Sequence, residues 1–171
     1  MNACTALGVL ATALVGCSSL LPAQEEGCYA ITPVQPSGVL RDECNLVADV
    51  ASTLGVRMTQ SGYIVDLRMR FPTESLGQEV DVAMAGRFDY GTNNTFSADG
   101  TAQNIVLPIS GQSCQVQRVD VHLEGTTDTK NARRFSGLIR IQTSTPRPET
   151  CVCQAWFQYQ AAVSSTESIC P

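Results

Sequence analysis

The chain has a single histidine, His122, two residues after Asp120 in the stretch RVDVHLE. A hydrolytic triad needs an acid to orient the imidazole and a serine within reach of its other nitrogen. On an extended strand, residues two apart share a face, so Asp120 and His122 stand side by side, opposite Val119, Val121 and Leu123. No Gly-x-Ser-x-Gly elbow occurs in the sequence to supply a nucleophile. A carboxylate pair for hydrolysis could be drawn from Asp66, Glu79, Asp81 and Asp89. Each of these, however, falls on the charged side of an alternating run, where charge belongs in any half-buried strand. Phosphate loops, dinucleotide fingerprints and zincin motifs are missing from the sequence. The expectation is a protein that is not an enzyme, with no catalytic residue, no metal and no cofactor.

A different chemistry is written at Cys17. Residues Ala3 to Gly16 are apolar or small and uncharged, and they stop at Leu14-Val15-Gly16-Cys17. As a helix this stretch rises only about 21 Å, short of the ~30 Å hydrocarbon core, so a secretory h-region fits better than a membrane span. The tetrapeptide resembles the lipobox of bacterial lipoproteins. That resemblance implies cleavage after Gly16, a diacylglycerol on the Cys17 sulfur and acylation of the new amine. Several acyl chains at ~0.8 kcal/mol per buried methylene anchor far more firmly than one. Ser18, where a retention signal would place Asp, implies sorting to the outer membrane of the bacterial envelope, facing either the periplasm or the outside. The division is then a signal peptide over 1–16, a lipidated tether over 17–27 and one domain over 28–171. From Ser18 to Gly27 the tether reaches at most ~35 Å.

Six further cysteines follow: Cys28, Cys44, Cys114, Cys151, Cys153 and Cys170. An even number in an exported chain predicts three disulfides. Cys151-Val152-Cys153 is a poor match to the Cys-x-x-Cys of redox exchange or the spacing of zinc ligands, and no His or Lys lies nearby in sequence.

The elements that must position these residues alternate with period two. In YIVDLRMRF, Val65, Leu67, Met69 and Phe71 oppose Asp66, Arg68 and Arg70. The same pattern recurs in EVDVAMAGRFDY, RVDVHLE, RFSGLIRIQ and CVCQAWFQYQAAV, with turn signals between the runs. Strands are expected at 28–34, 56–60, 63–71, 79–90, 94–109, 114–124, 133–143 and 151–163. Ile105-Val106-Leu107 breaks the alternation and suggests a bulge. Leu46, Val47, Val50 and Leu54 recur at helical spacing, which predicts one short helix between strands 1 and 2, with Asp42 as N-cap and Gly55 as its stop. The fold class is therefore all-β: an antiparallel up-and-down eight-stranded barrel, similar to lipocalins in layout, or alternatively a β-sandwich.

Strands that run up and down sort the cysteines into two ends. Cys28 opens strand 1 and Cys170 follows strand 8, so these two should pair. Cys44, Cys114, Cys151 and Cys153 fall at the opposite end, where Cys44 and Cys114 should each take one of Cys151 and Cys153.

A formal net charge of −5 with eleven basic residues offers no basic stripe for nucleic acid. The domain is expected to act by binding or as an envelope component. The inward set Val65, Leu67, Met69, Val82, Met84, Phe88, Phe135, Ile139, Phe157 and Tyr159 would either line a cavity for a small apolar ligand or make a dry core. The layout is also similar to small periplasmic lipoproteins that inhibit enzymes such as lysozyme. An inhibitor or adhesin would engage a protein partner through an exposed loop, Gly91–Asn94 or Gly125–Asn131.

Overall fold

A computed structural model describes residues 27–44, 54–71, 80–89, 94–109, 112–128, 131–144 and 151–171. Its strands are β1 (Gly27–Pro33), β2 (Val39–Asp42), β3 (Leu54–Ser61), β4 (Ile64–Phe71), β5 (Val80–Asp89), β6 (Thr95–Ile109), β7 (Gln112–Asp128), β8 (Asn131–Ser144) and β9 (Gln154–Val163). Apart from β2, each pairs antiparallel with the next, and β1 returns to pair with β9, which closes an eight-stranded barrel. The expected up-and-down barrel is thus the fold, with β2 as one strand more. β1 and β2 lie end to end along β9: Pro33 faces Tyr159 and Val39 faces Phe157. Between them the Val34 N–H donates to the Gln158 carbonyl (2.9 Å), and the Gln158 N–H donates to the Gly38 carbonyl (2.8 Å). The Gly38 N–H closes the loop onto the Val34 carbonyl (2.9 Å), so residues 35–37 are extruded opposite a single residue.

The helix expected between the first two strands falls mostly on residues 45–53, outside the described residues. Its expected ends are strand instead. Asp42 ends β2 opposite Ala155, and Leu54 and Gly55 open β3 opposite Ile31 and Ala30. Leu54, Val56 and Met58 form a buried period-two set, and pairing with β1 overrides the helical spacing of Leu54. The polar stretch from Gly125 is likewise not a loop: β7 continues to Asp128 and β8 begins at Asn131. Thr127 turns inward there, and its hydroxyl donates to the Asn94 carbonyl (3.2 Å).

The irregularity expected near Ile105 is a paired flip rather than an inserted residue. Phe96 and Ala98 face inward on β6 and Val119, Val121 and Leu123 on β7, whereas beyond Asn104 the buried positions are Ile109, Val116 and Cys114. Register is unchanged across the break, Gln103 opposite Arg118 and Ile105 opposite Val116. Asn104, at φ +54°, supplies the left-handed residue that the turnover requires. Both strands change face together, so each keeps its apolar side in the core.

That core is one buried cluster running the length of the barrel. Each fully buried Leu, Ile, Val or Phe contributes about 1.5–3 kcal/mol relative to exposure. At the end where β1 starts, the Phe135 ring lies 4.9 Å from Tyr29, 5.3 Å from Phe96 and 5.8 Å from Tyr159, between ring centroids. Beside these rings, β7 and β8 carry glycines opposite each other, Gly125 and Gly137. A Cβ on Gly125 would sit 2.3 Å from the Phe96 ring, and one on Gly137 would sit 1.8 Å from the Glu124 carbonyl oxygen. Only glycine lets the two strands coil this tightly, with aromatic rings filling the space inside.

Candidate binding site on the outer wall

The six cysteines form three disulfides: Cys28–Cys170, Cys44–Cys153 and Cys114–Cys151. None of these three bridges joins one end of the barrel to the other. Cys151 and Cys153 go to different partners, so this pair holds no free dithiol for redox exchange or metal. Thr143 is buried between them, where its hydroxyl donates to the Cys151 carbonyl (2.8 Å) and accepts from the Cys153 N–H (2.9 Å). Cys28 is turned outward, and the C-terminal segment it holds crosses the outside of β3. The Ile169 carbonyl lies where a Cβ of Gly55 would be, at 1.6 Å, and Arg57 Nε donates to the Pro171 carbonyl (2.8 Å). Cys17 lies outside the described residues.

Val65, Leu67, Met69, Met84, Phe88, Phe135, Phe157 and Tyr159 are all buried in the core cluster. Burial pushes the Tyr159 phenol well above its ordinary pKa, and the Glu124 charge adds to this. It therefore stays protonated and donates to the Glu124 carbonyl (2.9 Å).

The polar residues singled out by type separate in space. Asp120 does not orient His122: it accepts from Arg118 Nε and from the Thr101 hydroxyl, both at 2.8 Å. The Arg118 hydrogen bond outweighs partial burial and holds the Asp120 carboxyl below its usual pKa. His122 Nδ1 instead meets Asp99 at 2.6 Å and Nε2 meets Glu124 at 3.0 Å. Carboxylates on both ring nitrogens require the ring to donate twice, which is the imidazolium. Partial burial opposes that charge, but the bonds to Asp99 and Glu124 prevail and raise the His122 pKa. The nitrogen that would take a proton from a nucleophile is thus occupied by Glu124. Of the other carboxylates, Asp81 pairs with Arg70 at 3.0 and 3.2 Å, and Asp66 and Asp89 are exposed on β4 and β5. Glu79 lies outside the described residues.

Cross-strand register makes His122 part of a row. Asp99 faces His122, His122 faces Arg140, Arg140 faces Trp156, and Trp156 faces Arg41, across β6, β7, β8, β9 and β2. Guanidinium carbons of Arg41 and Arg140 lie 5.6 and 5.9 Å from the Trp156 ring centroid, a pair of cation–π contacts. Arg41 is also bound by Glu43, and Arg140 reaches Glu124 at 3.7 Å. Opposite charges along the row therefore offset one another. Spacing alone could have placed Glu124 beside His122 and Glu43 beside Arg41, but the row itself is not visible in the linear sequence, because Asp99 and His122 meet only through strand pairing.

Below the row the outer wall is concave. A groove of about 1250 Å³ runs from Tyr63, Arg87 and Asp89 across β6–β9 to Val34 and Leu40. Its floor lies over the tight coil at Gly125 and Gly137. Comparison with family models, with curated proteins and with solved structures finds no match to this chain.

Proposed function

We propose that this chain is an exported lipoprotein, anchored in the bacterial outer membrane through Cys17, whose barrel binds a partner through its outer wall. The lipobox at Leu14–Cys17 and the three disulfides support the envelope setting. The observation that carries the mode of action is how the inward side chains are used. The set that would line a lipocalin-type cavity is buried in one cluster, where Phe135 lies against Tyr159 at 5.8 Å and against Tyr29 and Phe96 at 4.9 and 5.3 Å between ring centroids, while the concave surface lies outside. His122, held between two carboxylates, serves this wall as structure and not as a catalytic base.

One preparation from native membranes tests both halves. Intact mass should show a triacylated Cys17 as the first residue, and titration with a fluorescent apolar probe should give no stoichiometric uptake. A chain that retains Met1 through Gly16 overturns the anchor. Saturable uptake of the probe overturns the outer-wall reading in favour of an apolar-ligand carrier.

A further inference from the structure

The geometry points to the groove over β6–β9 as a site for an uncharged oligosaccharide, an assignment that rests on the outer-wall reading and gives it a ligand class. The groove is long and open, larger than the ~300–1,000 Å³ typical of enclosed small-molecule pockets. That shape suits an extended chain of small polar rings better than a compact apolar molecule.

Its lining supplies the matching chemistry. Ser97, Ser136, Gln158 and Gln160 present hydroxyls and amides into it, and among the described residues none of these side chains is held by another. Each can donate and accept, as sugar hydroxyls do. Cross-strand register keeps them in order, with Ser97 opposite Glu124 and Ser136 opposite Gln160. Glu124 brings acceptor oxygens to the floor, and its charge is answered by His122 and Arg140. Arg87 and Asp89 at one end of the groove, with His122 and Glu124 on its floor, put two charges of each sign in the lining, so it favours neither an anion nor a cation.

Tyr63 completes the site from the rim. It is 58% exposed and borders the groove. It follows Gly62 (φ +58°) in the two-residue turn between Ser61 and Ile64, the glycine-first pattern of a II′ hairpin turn. Its carbonyl is tied to the Phe88 N–H at 2.8 Å, so the ring stands on a fixed backbone. An aromatic ring with an apolar face and a polar tip suits the alternating C–H and O–H surface of a pyranose.

The test is calorimetric titration of the full-length lipoprotein, in a detergent without a sugar head group, with neutral gluco-, manno- and chito-tetraoses. The expected result is binding of at least one of them at millimolar concentration or below, with hydrogen-exchange protection on β7–β9. Tyr63→Ala and Ser136→Trp, both at exposed positions, should each weaken it by about tenfold or more while the disulfide map stays unchanged. Binding by none of the neutral oligomers overturns the assignment, as does equal binding by both variants. Preference for uronate oligomers or for Gln- and Ser-rich peptides of similar length overturns it as well. Failure of the sugars without uptake of the apolar probe defeats this assignment alone, whereas uptake of the probe defeats the reading beneath it.

Discussion

The two ends of the barrel are closed by different means. Where β6 and β8 end, Cys114–Cys151 and Cys44–Cys153 tie β7, the β2 end and the entry to β9 together around the buried Thr143. Where β1 starts, Tyr29, Phe96, Phe135 and Tyr159 interlock inside the wall, and the Cys28–Cys170 bridge lies on the outside. Covalent closure holds its end whatever the surrounding packing does. Ring packing fills the other end from within, and it also fills the space beneath the paired glycines that shape the groove. The candidate site therefore depends on the aromatic end and is insulated from the disulfide end.

Removing Phe135 is the most direct way to break this division. Phe135→Ala should cost about 3–5 kcal/mol and should also speed amide exchange near Gly125 and Gly137, read by denaturant unfolding and hydrogen exchange. Wild-type exchange at the glycines would separate the groove from the rings. The matching change at the other end is Cys44→Ser with Cys153→Ser. It should cost roughly 2–4 kcal/mol yet leave exchange along the groove unaltered. Loss of protection there would show that the two ends are coupled.

A finer test is Tyr159→Phe, which keeps the ring and removes only the donor to the Glu124 carbonyl. The expected loss is about 1 kcal/mol in urea unfolding, and an unchanged midpoint would mean the bond contributes nothing to the coil. The smallest effect belongs to His122. Because its pKa is raised on folding, the imidazolium's stabilisation is complete below the ordinary value of 6.5 and fades as pH rises through the raised one. Thermal midpoints should fall across that window by an amount worth less than about 1 kcal/mol, and His122→Gln should lack this slope. A slope in the variant as steep as in the wild type would rule out His122, with Asp99, Glu124 and Arg140 around it, as its source.

Much of the barrel was legible because period-two alternation is local. Val65, Leu67 and Met69, or Phe157 and Tyr159, declare an inward face wherever the chain goes, and up-and-down order alone sorted the cysteines into two ends. β2 was not legible: four residues with a register shift opposite β9 leave too little pattern. The flip at Asn104 could be noticed as a broken run, but its pairing across β6 and β7 could not.

The sequence by itself determined the inward and outward faces, the antiparallel order and the separation of the cysteines, since each follows from alternation and chain direction. Tertiary structure alone decided the exact disulfide partners at the crowded end, the row from Asp99 to Arg41 and the groove beneath it. Those depend on register, and register sets residues far apart in the chain side by side at about 5 Å. One residue of slip would exchange every partner and turn the wall inside out.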